Sequence, residues 1–360
     1  MIKSIKSFKK YIVHEETNII EALKILNKIE NRFLLVVNEI NEFIGSLTDG
    51  DIRRWLISNG NISDLVKNAM NKKPVYGIKG KENDNFKKLQ KIPLNYFKFL
   101  PILDNNNSIC DLLVSDNKSN NNSLTALIMA GGFGKRLGKF TKNTPKPMLK
   151  IGKKSILEMT LEKLESDGFN NIYISVHHMA DQIEEFIKIR NNKANIEILY
   201  ENKPLGTIGA LSLMPENISW PLLVINSDLI TDLKFKSIIE FHKDNKNDMS
   251  IVSSTYENQI PFGIIESNSK GLIKKVKEKP IYSYPILAGV YCINKNIKKF
   301  LKYYKPKDIT DLINDVIKNK KRVQIFPMYE YWRDIGRPTD LKEVKNNIDT
   351  SEISYKFLSK

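Results

Sequence analysis

The 360-residue chain holds only two cysteines, Cys110 and Cys292. That excludes a disulfide framework and a thiolate metal site, and a reducing cytoplasm is the expected compartment. No apolar run approaches the ~20 residues that span a bilayer, so no membrane partner is expected. The opening residues Met1–Lys6 lack the apolar centre of a signal peptide. Acidic residues are few, 41 against 57 basic ones, which leaves a formal charge of +16. The lysines scatter, however, and no RRM, helix-turn-helix or zinc-finger spacing accompanies them. We read the excess as compositional bias, which argues against a nucleic-acid partner but still favours polyanionic substrates. What is present, 41% hydrophobic residues with aromatics throughout, suits a folded protein of two or three domains.

The most informative segment is Ala130-Gly131-Gly132-Phe133-Gly134-Lys135-Arg136-Leu137. It follows Leu124–Met129, an apolar run that reads as a buried parallel strand. Glycines let backbone N–H groups close on a phosphate, because no Cβ intervenes. Lys135 and Arg136 add charge at the same place, and Thr144-Pro145-Lys146-Pro147-Met148 follows as a second basic element. The loop is not a Walker A loop, since Arg136 stands where Ser or Thr would ligate magnesium. Its G-G-x-G spacing also departs from the dinucleotide fingerprint. A polyphosphate ligand is the expectation, against the plainer alternative of a Gly-rich turn.

Residues 116–123 are polar and of low complexity and read as a linker between domains at 1–115 and 124–350. The first domain carries a weak repeat. Thr17–Leu26 reads as a capped amphipathic helix, Phe33–Val37 and Phe43–Thr48 as strands, and Asp49–Arg54 as the start of a helix. Asn85–Leu89, Phe97–Leu103 and Ile109–Val114 form the second copy. Two βαββα units of this kind must pack as a pair to bury their sheets. Gly45-Ser46-Leu47-Thr48-Asp49-Gly50-Asp51-Ile52-Arg53 resembles the CBS motif. That resemblance implies that Thr48 and Asp51 hold the ribose and phosphates of an adenosine nucleotide such as AMP or ATP. The second copy, Val114-Ser115-Asp116, has no Thr-x-x-Asp. The alternative is a pair that only dimerises; either way a homo-oligomer, at least a dimer, is expected.

The second domain alternates strands and helices. Strands are read at 172–176, 196–200, 222–225, 249–253 and 323–326, with helices at 156–167 and 180–189 between them. This predicts an α/β fold: a mainly parallel, Rossmann-like sheet covered by helices on both faces, with ligands at the carboxyl ends of its strands. Asp228 follows a buried strand, and Asp334 offers a second acid in Trp332-Arg333-Asp334-Ile335-Gly336. Two carboxylates completed by phosphates and water suit magnesium better than zinc. Glu201–Ala210 is a glycine-bearing loop that would let a base or sugar approach the backbone. Glu278 is a candidate acceptor for sugar hydroxyls and Lys279 a partner for a sugar phosphate. His177 and His178, read as strand residues, are expected on opposite faces with packing or hydrogen-bonding rather than metal-binding roles.

Taken in order, G-G-x-G-x-R-L, P-K-P-M, P-L-G-T-x-G-A, x-x-D, E-K-P, G-V-Y and W-x-D-I-G resemble the sugar-1-phosphate nucleotidyltransferase family over nearly all of 124–340. The resemblance implies that Gly131, Gly132, Gly134, Lys135 and Arg136 hold a nucleoside triphosphate, and that Lys146 contacts the phosphates at the reaction centre. By the same resemblance Asp228 and Asp334 bind Mg2+, while Gly206, Gly263, Glu278 and Lys279 line the sugar-phosphate side. Lys135 departs from the family, which usually has Thr there. The implied reaction is attack of a sugar 1-phosphate on the α-phosphorus, with release of pyrophosphate. A CBS pair ahead of such a domain resembles the guanylyltransferases of bacterial nonulosonic (legionaminic) acid pathways, which use glucosamine 1-phosphate and GTP. Mannose 1-phosphate guanylyl transfer and a non-catalytic regulatory homologue are the alternatives.

Overall fold

The computed structural model describes residues 2–29, 31–92, 98–115 and 123–349. The chain divides into two compact units, Met1–Asn122 and Ser123–Lys360. All of the expected 116–123 linker except Ser123 lies outside the described residues, as does Phe97 of the expected strand 97–103. No helix among the described residues is long and apolar enough to cross a membrane.

In the first unit, the first repeat runs as strand Ile12–His14, helix Ile19–Lys28, strands Phe33–Val37 and Phe43–Thr48, and helix Asp49–Ile57. Phe33–Val37 is buried along its whole length, as its unbroken apolar run requires. The first helix starts two residues later than expected. Thr17 stays outside the helix, its carbonyl accepting the Val66 N–H at 2.8 Å, and Asn18 caps in extended backbone without a side-chain bond. The second repeat gives Gly77–Ile78, Glu82–Lys91, Lys98–Leu103 and Ile109–Ser115. The strand Ile2–Ser4 pairs with Ile109–Ser115, so the chain's first strand closes the second repeat's sheet.

The second unit is built on a seven-stranded sheet. Its order is Asn195–Tyr200, Phe169–Val176, Leu124–Met129, Leu222–Asn226, Ile281–Ile293, Met249–Gln259, Val323–Pro327. Every strand runs parallel to its neighbours except Ile281–Ile293, which is antiparallel to both of its own. That strand was not expected. Pro285 within it argues against a central strand, but Pro285 sits opposite Thr255, beyond the part paired with Leu222–Asn226. Leu127, Tyr173, Val224 and Tyr291 share one sheet face and pack on Leu312 and Val316 of helix Ile309–Lys318. Ala126, Ile128, Ile172 and Ile174, of opposite parity, are fully buried on the other face. Helix Ile156–Ser166 opens on a capping box between Ser155 and Glu158, and Ala180–Ile189 forms as expected.

Because Ile281–Ile293 runs antiparallel to Leu222–Asn226, with Leu222 opposite Ile293, residues 281–287 continue past the sheet's carboxyl edge. Met249–Gln259 accompanies them with Tyr256 opposite Tyr284. The resulting ribbon ends in a second hairpin, Ile264–Ser267 with Ile273–Lys277.

Candidate active site

Strand Leu124–Met129 delivers the glycine loop to the carboxyl edge. The glycines there have different reasons to be glycine. A Cβ on Gly131 would stand 2.6 Å from Glu201 Oε1, whereas one on Gly132 would meet nothing within 4 Å. Gly134 is left-handed, with φ +63°, and its carbonyl accepts from Leu137 N and Thr141 Oγ1, both at 3.0 Å. Leu137 is itself buried among Ile151, Ile230 and Ile335, which pins the end of the loop. Only Gly132 therefore presents an unobstructed backbone to a ligand.

Glu201 was read from sequence only as the start of a loop. It lies 5% exposed beneath Gly131, and its Oε2 accepts the Leu205 N–H at 3.0 Å. Burial pushes its carboxyl above the usual range. One side chain thus braces both the glycine loop and the Leu205–Gly206 turn. The available signal was its place directly after the strand Asn195–Tyr200.

The histidines correct an expectation. The strand ends at Val176, so alternation does not govern the next two residues. Both rings lie 5.4 Å from the Phe133 ring, His177 edge-on at 89°. His177 Nδ1 donates to the Glu201 carbonyl at 2.6 Å, a tautomer dictated by a partner that only accepts. Lys135 Nζ stands 5.3 Å from the Phe133 ring centroid, within cation–π range. The loop tip is therefore held by an aromatic cluster.

The carboxylate pair is assembled by a small two-stranded sheet. Leu229–Thr231 pairs antiparallel with Trp332–Asp334, setting Leu229 opposite Asp334. The Ile335 N–H closes it by donating to the Asp228 carbonyl at 2.9 Å. Lys146 Nζ donates to Asp228 Oδ2 and lies 3.8 Å from Asp334 Oδ1. Asp334 is pushed up to about 6, first by burial and then by the Asp228 charge. Asp228 Oδ1 and Asp334 Oδ1 are both buried without a hydrogen bond among the described residues. Two orphaned carboxylate oxygens on acids that share the Lys146 ammonium fit a hard dication that also takes water and phosphate oxygens. No cluster of three or more metal-ligating side chains occurs among the described residues.

Arg136 joins this group, since a Cβ on Gly336 would lie 3.4 Å from its Nη1 and 3.5 Å from Asp334 Oδ2. Gly134 joins it too, 3.3 Å from Lys146 Cβ by the same construction. Gly206 has φ +77°, and a Cβ there would stand 2.7 Å from the Lys307 carbonyl, so its lack of one admits a neighbouring loop of the same unit. Gly263 faces the Glu278 carboxylate, 3.0 Å from a built Cβ. With Lys279 it sits at the base of the projecting hairpin, beyond the sheet edge that carries Asp228. Thr48 and Asp51 belong to the first unit and bond each other: Asp51 Oδ2 accepts Thr48 N at 2.8 Å and Thr48 Oγ1 at 2.6 Å, while Arg54 Nη2 holds Asp51 Oδ1 at 2.6 Å. They form a helix capping box.

The sequence profile of the nucleotidyl transferase family matches residues 125–351. The chain belongs to that family. The CBS domain profile matches residues 2–58, the first repeat. This nucleotidyl transferase is 32% identical over 233 residues to the mannose-1-phosphate guanylyltransferase catalytic subunit beta of Drosophila pseudoobscura pseudoobscura, spanning 63% of this chain and 62% of the relative. It is 31% identical over 226 residues to the mannose-1-phosphate guanyltransferase of Schizosaccharomyces pombe, spanning 60% and 62%. The chain thus covers less than two thirds of these relatives' length. A Bacillus anthracis structure described as a glucose-1-phosphate thymidylyltransferase superposes at a TM-score of 0.50 with 23% identity, over 65% of this chain and 97% of that one. The likeness to it is one of fold.

Proposed function

We propose that this nucleotidyl transferase moves a nucleotidyl group from GTP to a sugar 1-phosphate, releasing pyrophosphate and leaving a nucleotide-activated sugar. The observation that carries the reading is the convergence of the glycine loop, Arg136, Lys146 and the Asp228–Asp334 pair at one strand edge. GTP is favoured by the relatives at 31–32% identity, which are named as mannose-1-phosphate guanylyl transferases. Those names favour mannose 1-phosphate as acceptor, whereas the CBS pair ahead of the transferase domain favours glucosamine 1-phosphate. Retention of both acids and both cations argues against a regulatory homologue that has lost chemistry.

In this reading the nucleophile is a phosphate oxygen already ionised at neutral pH, so no general base is needed. The barrier is the approach of two polyanions. The Gly132 N–H and Arg136 hold the triphosphate, and Lys146 turns from Asp228 to the α-phosphate as substrate enters. Glu201 and the Phe133 cluster keep the loop in place so that attack is in line. Asp228 and Asp334 would hold Mg2+, which neutralises phosphate charge when bound. Gly263, Glu278 and Lys279 would receive the sugar phosphate. In the first unit, Thr48 and Asp51 would exchange bonds with each other for bonds to an adenine nucleotide. The test is pyrophosphate release with Mg2+ across five nucleoside triphosphates, each against glucosamine, mannose and glucose 1-phosphates. Release with GTP and one hexose 1-phosphate supports the reading. Silence with folded protein, or preference for another base, overturns it.

A further inference from the structure

The carboxylate pair is already balanced in charge. Asp228 and Asp334 stand against two cations, Lys146 between them and Arg136 beside Asp334. The Lys146 ammonium is an incomplete partner. It bonds Asp228 Oδ2 but stops 3.8 Å from Asp334 Oδ1. The Oδ1 atoms of both acids remain without a hydrogen bond among the described residues. The ammonium is also largely removed from water, since its side chain is only 11% exposed. A dication that took the same acids would meet it there. Like charges in a poorly hydrated site repel strongly, and four balanced charges would become a group with two uncompensated positive ones. One cation must yield. Lys146 is the one that already bonds an oxygen of the pair.

We propose that Lys146 holds the place of the divalent cation on Asp228 and Asp334, and that the cation's arrival releases the ammonium toward the glycine loop. The two occupancies exclude each other. The local chain is built for such an exchange. Lys146 lies between Pro145 and the buried Pro147, whose rings fix their own φ and restrict the residue before them. Its backbone is therefore held, while its four-carbon stem stays free to turn. That stem runs against the glycine loop, because a Cβ on Gly134 would stand 3.3 Å from Lys146 Cβ. An ammonium that leaves the acids thus has the triphosphate loop next to it. Two consequences follow from mass action. The lysine weakens the cation's hold on the empty protein, and any anion that takes up the ammonium strengthens it. Triphosphate and cation would then each favour the other's binding through one side chain, a step that rests on the function proposed above.

The test is metal binding without nucleotide. Full-length protein stripped with EDTA and dialysed is titrated with Mn2+ by isothermal calorimetry, alongside Lys146→Met, which keeps the stem's bulk and removes its charge. The variant is expected to bind Mn2+ at least about tenfold more tightly than the wild type, and Lys146→Met/Asp334→Asn to lose that binding. A variant that binds no tighter, binding that survives loss of Asp334, or no binding in either protein overturns the proposal. A second measurement needs no variant. Wild-type protein is acylated with an N-hydroxysuccinimide ester with and without Mg2+, and the labelled lysines are read by peptide mass spectrometry. Labelling of Lys146 is expected to rise several-fold with Mg2+, while that of Lys188, paired with Glu184 on the surface, stays level. Unchanged labelling of Lys146 overturns the proposal too. Neither measurement contains triphosphate. A protein that passes both yet releases no pyrophosphate from any nucleoside triphosphate keeps the exchange and discards the transfer reaction.

Discussion

Asp334→Asn tests the carboxylate pair most directly. The Asp334 carboxyl is raised from 3.8 to about 6, by burial and then by Asp228. The folded chain therefore keeps a proton through that window while the unfolded chain releases it. Stability falls as pH rises from about 4 to about 6 and stays lowered above that. At 1.36 kcal/mol per pH unit the rise corresponds to about 3 kcal/mol. The side chain is 40% exposed, and solvent screening reduces this to about 1 kcal/mol. Asparagine removes the charge but keeps the shape, and Lys146 retains Asp228. In EDTA at pH 7.5 the variant should melt about 2–4 °C above the wild type, and its stability should lose most of the slope between pH 4 and 6. With Mg2+ the order should reverse, since the wild type gains the dication and the variant does not. Differential scanning calorimetry with and without Mg2+ measures all of this on one protein. A variant that melts at or below the wild type in EDTA, or that still gains stability from Mg2+ as the wild type does, would refute the reasoning.

Lys146→Ala should fold normally and lose about 2.7–4 kcal/mol of transition-state stabilisation, a fall of about 100- to 1,000-fold in kcat measured by pyrophosphate release. Gly131→Ala should collide with Glu201 and cost about 1–3 kcal/mol in urea unfolding, along with triphosphate affinity. Gly132→Ala, facing open space, should leave the unfolding midpoint unchanged while weakening the triphosphate in isothermal titration calorimetry; equal unfolding midpoints for the two would contradict the geometry. Asp51→Ala removes a capping box and should destabilise the first unit by about 1 kcal/mol. It should also abolish any thermal shift with AMP or ATP; a shift that persists would place the nucleotide elsewhere.

Much of the fold was legible because local chemistry and packing agree. Phe33–Val37, Phe43–Thr48 and Ala180–Ile189 form at the expected residues, since two short runs bounded by turn residues and one 3.6-residue period agree with the packing around them. Ile281–Ile293 was not legible as a strand, because Pro285 and three nearby tyrosines and serines look like a turn until the partner strand Met249–Gln259 is known. The glycine loop announced itself by composition, but Glu201 beneath Gly131 is a contact across some 70 positions and leaves no local trace. The same holds for His177 and His178, whose shared contact with Phe133 depends on where the strand stops. Asp228 and Asp334 were paired by residue type and by resemblance, with no local pattern to join them. The small sheet that joins them has no periodicity to read, being three residues on each side.

That small sheet also sets a clock on synthesis. Thr231 Oγ1 donates to the Tyr331 carbonyl across a hundred residues of chain. At 5–20 residues per second a ribosome spends roughly 5–20 s making the intervening segment. During that interval the nascent chain already carries the glycine loop, Arg136, Lys146 and Asp228, yet lacks the second acid and the strand that orients it. Under the function proposed above, the unfinished polypeptide lacks the means to consume nucleoside triphosphate, and chemical competence arrives in a single late step.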